Sequence, residues 1–379
     1  MVGLRNVAVV GAGIIGASVT YHLARLGVRA HCIDRAEPGS GTTSASFSRS
    51  KVYRKVPREY FELNRAAGME HARLASELGP APWWHPCGSL IWANDDDFVG
   101  HVELLRRWGA KVALIEAKDV AQPLEPNVDF GSTGTPVAYF PEEAWIDAPA
   151  LVSRLLDLAQ AAGGNLRTGL SVVGIEFDKT RPAAIRLSDG EWICVDAVVN
   201  AAGPEADRVA ALAGAPLKLC AGRTGLLVDL AVERDPIQRI LQSPRVSVRP
   251  LGPGRLQLRA DEIDAELAAG PQDARVDDLA QDLSSLARQV IPSLADARIE
   301  ATRIGKRAIP SDGYASVGAL SAVPGYFEAV SHSGVNLGPL IGRLLAEQIV
   351  SGIPDRLLRR FAPDRFLARP HERCAPAPG

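Results

Sequence analysis

One stretch near the start of the chain constrains the fold more than any other, because it contains an apolar strand, a glycine-rich turn, a helix and a second strand. The apolar run Val7–Val10 leads directly into the spacing G-x-G-x-x-G at Gly11, Gly13 and Gly16. In a βαβ unit these glycines allow a tight turn, a close approach of the backbone to a pyrophosphate, and close packing of helix on strand. Asp34 ends the second strand, where a carboxylate accepts hydrogen bonds from a ribose. The stretch therefore predicts a dinucleotide-binding site, and the acid argues against the 2′-phosphate of NADP.

Length and composition exclude several classes of protein. The 379 residues suffice for two domains or one large composite domain, and the formal net charge of −2 gives no general attraction for nucleic acid. No apolar run is long enough to span a bilayer, and the apolar start lacks the basic region and cleavage site of a signal peptide. The cysteines are odd in number and contain no CxxC pair, which argues against a disulfide framework and a zinc site: Cys32, Cys87, Cys194, Cys220 and Cys374. We therefore expect a cytoplasmic protein without a metal.

Two segments after the first βαβ unit carry candidate ligands. The loop Pro38–Ser46 is rich in small and hydroxyl-bearing residues, and its position favours contact with a flat or phosphorylated ligand. The next segment contains five cations, Arg49, Lys51, Arg54, Lys55 and Arg58. A charge run is usually a solvated face, but one or two cations beside a cofactor can bind an anionic group of a substrate. Further on, Asp95–Asp97 indicates an exposed cluster at a helix start rather than a metal site.

A second glycine-rich crossing from strand to helix occupies residues 332–342, and we expect its helix to run from Leu340 to Val350. A buried strand ends in the small residues 200–204, where glycine permits a close backbone approach to a ligand. Between these segments, residues 222–229 and 246–259 alternate as in an antiparallel sheet. The pattern predicts that both ends of the chain share one cofactor, with the sheet-rich middle inserted as a lid.

These motifs, in this order, resemble those of the flavin-dependent D-amino-acid oxidase superfamily, near glycine oxidase and sarcosine oxidase. The resemblance spans nearly the whole chain and rests on GAGIIG (11–16), Asp34, NAAGP (200–204), RAIPSDGYASVG (307–318), HSGVNLGPLIG (332–342) and FAPDRF (361–366). It implies an α/β fold, in which a Rossmann-like FAD-binding domain carries an inserted antiparallel-sheet (α+β) substrate domain. The implied boundaries are 1–85, 145–215 and 300–379 for the first domain, and 86–144 and 216–299 for the second.

The resemblance implies FAD as the cofactor. The covalent cysteine of sarcosine-type enzymes would fall just before Arg307, where this chain has Ile304–Lys306, so we expect non-covalent FAD. The residues expected to bind the cofactor are Gly11, Gly13, Ile15, Gly16, Asp34, Arg35, Thr42, Thr43, Ser44, Ala45, Ser46, Val172, Ala202, Gly203, Arg307, Gly334, Val335, Asn336 and Leu337.

In this superfamily the substrate is an amine that carries a carboxylate. Its α-hydrogen leaves as hydride to flavin N5, and the resulting imine hydrolyses. Arg307 matches the family arginine that grips the carboxylate, and Lys51 or Arg49 falls where sarcosine-type enzymes place a second cation. His332 is a candidate proton shuttle, although such a histidine is more often packed and hydrogen-bonded. Residues 254–259 contain no lysine to activate oxygen, which leaves a dehydrogenase with another electron acceptor open.

The sequence thus predicts an FAD-dependent oxidoreductase acting on an amino acid or N-alkyl amino acid, with Arg307, His332 and Lys51 as the catalytic candidates. Two alternatives stay open. One is oxidation of a 2-hydroxy acid or a biosynthetic intermediate, and the other is a flavin-binding subunit of a larger complex. The chain could form homo-oligomers or hetero-oligomers, and nothing in it predicts a nucleic-acid or membrane partner.

Overall fold

Helices and strands alternate along the chain in a mixed α/β arrangement. The structure is a computed structural model that describes residues 5–131, 136–269, 275–367 and 374. The strands are β1 (Asn6–Val10), β2 (Arg29–Ile33), β3 (Arg49–Ser50), β4 (Trp84–His85), β5 (Ser89–Ile91), β6 (Ala113–Glu116), β7 (Pro136–Phe140), β8 (Ala144–Ile146), β9 (Asn165–Arg167), β10 (Val172–Asp178), β11 (Arg181–Leu187), β12 (Trp192–Cys194), β13 (Ala197–Asn200), β14 (Thr224–Ala231), β15 (Ile240–Gln242), β16 (Ser247–Pro250), β17 (Arg255–Arg259), β18 (Arg298–Lys306), β19 (Ser316–Ala319) and β20 (Tyr326–Val330). The helices are α1 (Ile14–Arg25), α2 (Arg58–Leu78), α3 (Phe98–Arg107), α4 (Gln122–Leu124), α5 (Ala148–Ala161), α6 (Ala206–Leu212), α7 (Asp261–Ala269), α8 (Val276–Val290) and α9 (Gly334–Ser351).

A six-stranded sheet joins the two ends of the chain, in the order β19-β20-β13-β1-β2-β9. Its pairs are parallel except for the edge pair β19 and β20. Val7, Val9 and Val10 of β1 are buried because α1 and α9 cover one face and a second apolar cluster covers the other. The carboxyl ends of β1, β13 and β20 therefore meet at one edge, where open α/β sheets bind ligands.

Helix α9 lies against α1, and it begins at Gly334, six residues before the expected start at Leu340. Pro339 inside the helix lacks the N–H that would bond the carbonyl of Val335. That carbonyl accepts a hydrogen bond from His71 Nε2 at 2.9 Å instead, so the early turns persist. The same Nε2 lies 3.1 Å from the carbonyl of Asn336, and burial lowers the pKa of His71 to about 4, which keeps the ring neutral.

An eight-stranded sheet, ordered β18-β14-β17-β16-β15-β5-β7-β6, has its own apolar core under α7 and α8. Its pairs are antiparallel except for β15 with β5. The expected mixed α/β class is confirmed, and residues 261–269 and 276–290 form α7 and α8. The expected domain boundaries stay a prediction. The expected boundary at residue 300 falls inside β18, which belongs to this sheet.

One feature differs from the expectation for the cysteines, because Cys220 and Cys374 form a disulfide. The backbone N–H of Cys220 donates to the carbonyl of Ile309 at 2.8 Å, so the bridge attaches residue 374 to the loop that follows β18. The two cysteines are 154 residues apart in sequence, so their spacing could not predict that they pair. In the described ranges, no helix has the length and apolar character needed to cross a membrane.

The aspartates 95–97 precede α3, as expected for a helix start, but they do not cap it in the predicted way. Asp97 is the N-cap residue and its side chain makes no capping hydrogen bond. Asp95 pairs with Arg54 at 2.5 Å, which ties the helix start to the cationic segment.

Candidate active site

The glycine turn after β1 has the geometry that the fingerprint predicts. Gly11 has a φ of +108°, and a Cβ there would collide with the carbonyl oxygen of Ala201. A Cβ at Gly16 would collide with the carbonyl of Gly11, so helix and turn pack without a side chain between them. At Gly13, by contrast, a Cβ would meet Thr43 Oγ1 at 3.2 Å. The turn therefore brings bare backbone to the N-terminus of α1, where the first amides have no acceptor within the helix.

Asp34 and the hydroxyl-rich loop hold this turn from the other side. The Asp34 carboxylate accepts from the amides of Ala12 at 2.6 Å and Ala36 at 2.9 Å. Thr43 Oγ1 accepts from the amide of Ile14 at 3.1 Å, and Thr42 Oγ1 donates to the carbonyl of Lys306 at 2.7 Å. The carboxylate at position 34 keeps further lone pairs for a ribose.

A first cavity, which we call the cofactor cavity, begins at this turn and reaches the N-terminus of α9. Eight of the expected cofactor residues line it: Gly13, Ile15, Thr42, Thr43, Ser46, Gly203, Gly334 and Val335. Two helix N-termini thus point into one cavity, which is a good environment for an anionic dinucleotide. Sequence reasoning missed the apolar and small residues that complete the lining, such as Ile14, Ala201, Ala308 and Ala329–Ser331. Their signal was position alone, because most of them lie at or just past strand ends.

Other expected cofactor residues lie elsewhere. Four of them are packed against other parts of the chain: Gly11, Gly16, Leu337 and Val172. Val172 is the first residue of β10 and lies in the apolar core on that side of the six-stranded sheet. Arg35 forms an exposed ion pair with Glu205 at 3.7 Å. Ser44 bonds the carbonyls of its own loop, and Ala202 packs at the edge of the core beneath β10. Asn336, Ala45 and Arg307 line the neighbouring cavity described next.

The second cavity has a volume of about 290 Å³ and shares Thr42, Ser46, His332 and Val335 with the cofactor cavity. We call it the cationic cavity, because six cationic side chains line it: Arg49, Lys51, Arg54, Lys55, Arg259 and Arg307. All three catalytic candidates, Arg307, His332 and Lys51, lie here although they are far apart in sequence. Sequence reasoning missed Arg259 and Asp264, because no motif marks them. A substrate in this cavity would lie directly beside a group in the cofactor cavity.

Arg307 does not stand alone in the cavity, since its Nη2 forms an ion pair with the buried carboxylate of Asp264. The same carboxylate accepts from the amide of Leu226 at 2.8 Å and lies 3.2 Å from Arg259 Nη2. Asp264 therefore fixes the position of both guanidinium groups.

His332 lies among hydroxyls and cations at the start of α9. Its Nε2 is 3.4 Å from Ser333 Oγ, which also lies 2.9 Å from the Tyr60 hydroxyl and 3.4 Å from Lys55 Nζ. Burial, followed by the charges of Lys55 and Arg307, holds the pKa of His332 well below its ordinary value. The imidazole is therefore neutral at physiological pH, and its buried Nδ1 has no hydrogen-bond partner among the described residues.

Lys51 and Lys55 also bind a proton more weakly than an ordinary lysine does. Burial lowers the pKa of Lys55 to about 7, and the nearby Arg49 adds to the effect. The pKa of Lys51 is lowered by burial and then by Arg49 and Lys55. Two of the five cations in the original charge run behave differently, because Arg54 pairs with Asp95 and Arg58 pairs with Glu62 at the surface.

Comparisons with known proteins agree with this geometry. A sequence model of the family described as FAD dependent oxidoreductase matches residues 6–348. The mitochondrial sarcosine dehydrogenase of Mus musculus is 27% identical, over 95% of this chain but only 41% of that protein. Two solved structures have the same fold: glycine oxidase from Geobacillus kaustophilus (TM-score 0.81, 23% identity, 94% of this chain and 98% of that one) and L-proline dehydrogenase from P. horikoshii (TM-score 0.84, 20% identity, 97% and 99%). With its fingerprint, its paired cavities and this match, the chain belongs to the family of FAD-dependent oxidoreductases.

Proposed function

We propose that the protein oxidises the C–N bond of an amino acid or N-alkyl amino acid to an imine. The observation that carries the proposal is the position of Arg307, which lines a cavity continuous with the cofactor cavity. The named relatives oxidise or dehydrogenate glycine, proline and sarcosine, all of which are small amines with a carboxylate. FAD, when bound, supplies the hydride acceptor.

The chain's own residues position the substrate and manage its proton. Arg307 binds the carboxylate with the donors that Asp264 leaves free, and Asp264 holds the guanidinium in place. The amine must lose its proton before hydride can leave, because the nitrogen lone pair stabilises the developing positive charge. The neutral His332 and the weakly basic Lys55, both next to Ser333 Oγ, can accept that proton.

Arg307→Ala tests the proposal. We expect FAD to remain bound, while the substrate concentration for half-maximal anaerobic flavin bleaching rises about 10- to 100-fold, because a charge-assisted hydrogen bond is lost. Arg298→Ala, at the exposed start of the strand that ends just before Arg307, is the matched control. Unchanged apparent affinity in Arg307→Ala would remove the anchoring role.

The same assay separates the substrate classes. Amino acids, N-methyl amino acids and 2-hydroxy acids are added in turn under anaerobic conditions. If only 2-hydroxy acids bleach the flavin, the substrate is an alcohol and not an amine. Readmitting air then distinguishes an oxidase from a dehydrogenase by the rate at which the oxidised spectrum returns, which residues 254–259 leave open because they contain no lysine.

The proposal includes non-covalent FAD and a cytoplasmic location. In support of the first, all five cysteines lie within the described residues and none lines either cavity. Acid precipitation should leave the flavin in the supernatant, and a yellow pellet would contradict this. The cytoplasmic location is tested by thiol alkylation in fresh extracts, which measures the oxidation state of Cys220 and Cys374. Reducing compartments keep thiols free, so a disulfide in these extracts would contradict that location.

A further inference from the structure

The cations of the cationic cavity fall into two groups that differ in their partners. Arg307 and Arg259 share the buried Asp264, and Arg259 also pairs with the exposed Asp261. These two arginines are therefore matched by two carboxylates. Arg54, at the edge, is matched by Asp95.

The second group, which we call the free cation cluster, consists of Arg49, Lys51 and Lys55. Within the described ranges, no carboxylate oxygen lies within 4 Å of any of the three cationic groups. The Lys51 and Lys55 ammonium groups instead lie 5.7 Å and 5.4 Å from the ring centres of Tyr53 and Tyr60. Lys55 is buried, with 5% of its surface exposed.

Arg49 gives the most direct sign of a missing ligand. Its Nη2 donates to Gln242 Oε1, whereas Nη1 is buried and has no hydrogen-bond partner among the described residues. A buried guanidinium N–H without an acceptor is costly, because its hydration has been lost without replacement. Since this side chain lines the cavity, an acceptor inside the cavity would satisfy it.

The basic side chains of the free cation cluster outnumber the carboxylates that are left to face them. Glu143 is the carboxylate whose charge acts on all three members of the free cation cluster. Its oxygens are occupied by the Val52 amide at 3.0 Å and the Ser89 hydroxyl at 2.8 Å. With Arg307 and Arg259 matched by Asp264 and Asp261, the three basic side chains of the cluster face Glu143 as the one unmatched carboxylate that the described residues bring near them. Burial and mutual repulsion lower the pKa of both lysines, as expected for cations that lack counter-charge.

We propose that the substrate carries a second carboxylate, which binds the free cation cluster while its first carboxylate binds at Arg307. This inference rests on the proposed function and narrows its substrate class to small dicarboxylic amines. A second carboxylate would supply acceptors for Arg49 Nη1 and the lysines together. The cavity volume of about 290 Å³ suits a ligand of that size.

A binding experiment tests the inference without turnover. Oxydiacetate and methoxyacetate have an ether oxygen in place of the amine, and they differ in the second carboxylate. We expect the FAD-loaded protein to bind oxydiacetate about 10- to 100-fold more tightly in calorimetric titration. In Lys51→Met the difference should fall by about tenfold, whereas Lys111→Met, which changes an exposed lysine paired with Glu142, should keep it. Equal affinities in the unchanged protein, or a preference that Lys51→Met leaves intact, would overturn the inference.

A turnover experiment separates this inference from the function on which it rests. N-(carboxymethyl)glycine is compared with its neutral mono-amide, which has nearly the same shape. Faster flavin reduction by the diacid, by about 10- to 100-fold in kcat/KM, supports the inference. Equal reduction by both compounds leaves the amine-oxidation proposal standing and rejects the second carboxylate. If oxydiacetate binds preferentially but no amine reduces the flavin, the cluster recognises a diacid and the proposed reaction is wrong.

Discussion

Glu328 is a carboxylate on β20, between the edge strand β19 and β13 of the six-stranded sheet, and it has no exposed surface. Its Oε2 accepts from the Ser316 hydroxyl, and its Oε1 is buried without a hydrogen-bond partner in the described part of the chain. Burial raises the pKa of Glu328 from its ordinary 4.5 to about 7, although Ser316 and the more distant Arg365 oppose the rise. The sheet therefore tolerates the neutral acid better than the carboxylate.

Glu328→Gln should remove a pH dependence of stability. A raised folded-state pKa gives stability that is fully present below 4.5 and lost as the pH rises through about 7. The variant should match the unchanged protein near pH 5 and exceed it near pH 8.5 in free energy of unfolding, by on the order of 2–3 kcal/mol. Urea unfolding at both pH values measures the difference, with the exposed Glu116→Gln as control. A difference that does not change with pH would contradict the role of the carboxylate.

At the scale of single residues, the family resemblance pointed to Arg307 and Lys51 and the second glycine-rich crossing contains His332, and the structure brings all three to one cavity. The sequence could not locate their partners. Asp264 is 43 residues from Arg307 and carries no motif, so its ion pair becomes visible only when α7 packs on β14. The cations of the early charge run likewise have no periodicity that would show which become buried.

Helix α9 and α1 touch closely because both present small residues at their crossing. A Cβ added to Gly342 would lie 2.5 Å from the Ser18 Cβ and 2.6 Å from its carbonyl carbon. Backbone atoms cannot move aside as a flexible side-chain tip can. The same two helices begin at the cofactor cavity, so their separation sets the relation between its two ends.

Gly342→Ala should therefore destabilise the protein by about 1–3 kcal/mol and lower its FAD content. Gly100→Ala is a suitable control, because the near atom there is the tip of the exposed Asp97 side chain. Thermal unfolding and the ratio of flavin to protein absorbance measure both effects. A Gly342→Ala protein with ordinary stability and flavin content would show that the helices can separate without cost.

At the scale of elements, periodicity placed most helices and strands, and it failed where a contact from elsewhere overrides a local rule. The sequence around Pro339 argues for a late helix start. His71, on α2, takes over the carbonyl that the proline leaves free, and the helix begins at Gly334 instead. No local pattern contains this information, because the two residues are 268 positions apart in a chain of 379.

At the scale of the whole molecule, FAD should act as a stabiliser, since its cavity is built from both ends of the chain. A ligand that binds the folded protein at 100 times its Kd contributes about 2.7 kcal/mol. The flavin-free protein should therefore melt at a lower temperature, and added FAD should restore the higher Tm. FMN, which lacks the adenosine half expected at Asp34, should restore less. Equal effects of FAD and FMN would show that the fingerprint contributes little.

The layout of the molecule was largely predictable, because the fingerprint, the strand at 197–200 and the second glycine crossing fix the parallel sheet. Two contacts between segments that are distant in sequence were not predictable. The parallel pair of β15 and β5 lies within a sheet expected to be antiparallel, and the Cys220–Cys374 disulfide joins distant segments. Both depend on how separate segments meet in space.

The shared sheet also has a consequence for how the chain is made. Strand β1 leaves the ribosome early, but its neighbour β13 comes almost two hundred residues later, and β13 must then wait for β20. The nascent chain therefore carries the β1–β2 pair without its neighbour β13 until residues 197–200 are made, and most of the eight-stranded sheet is synthesised between β13 and β20. We expect the incomplete sheet to depend on chaperones, and flavin to bind only after β20 and α9 have been synthesised, because both line the cofactor cavity.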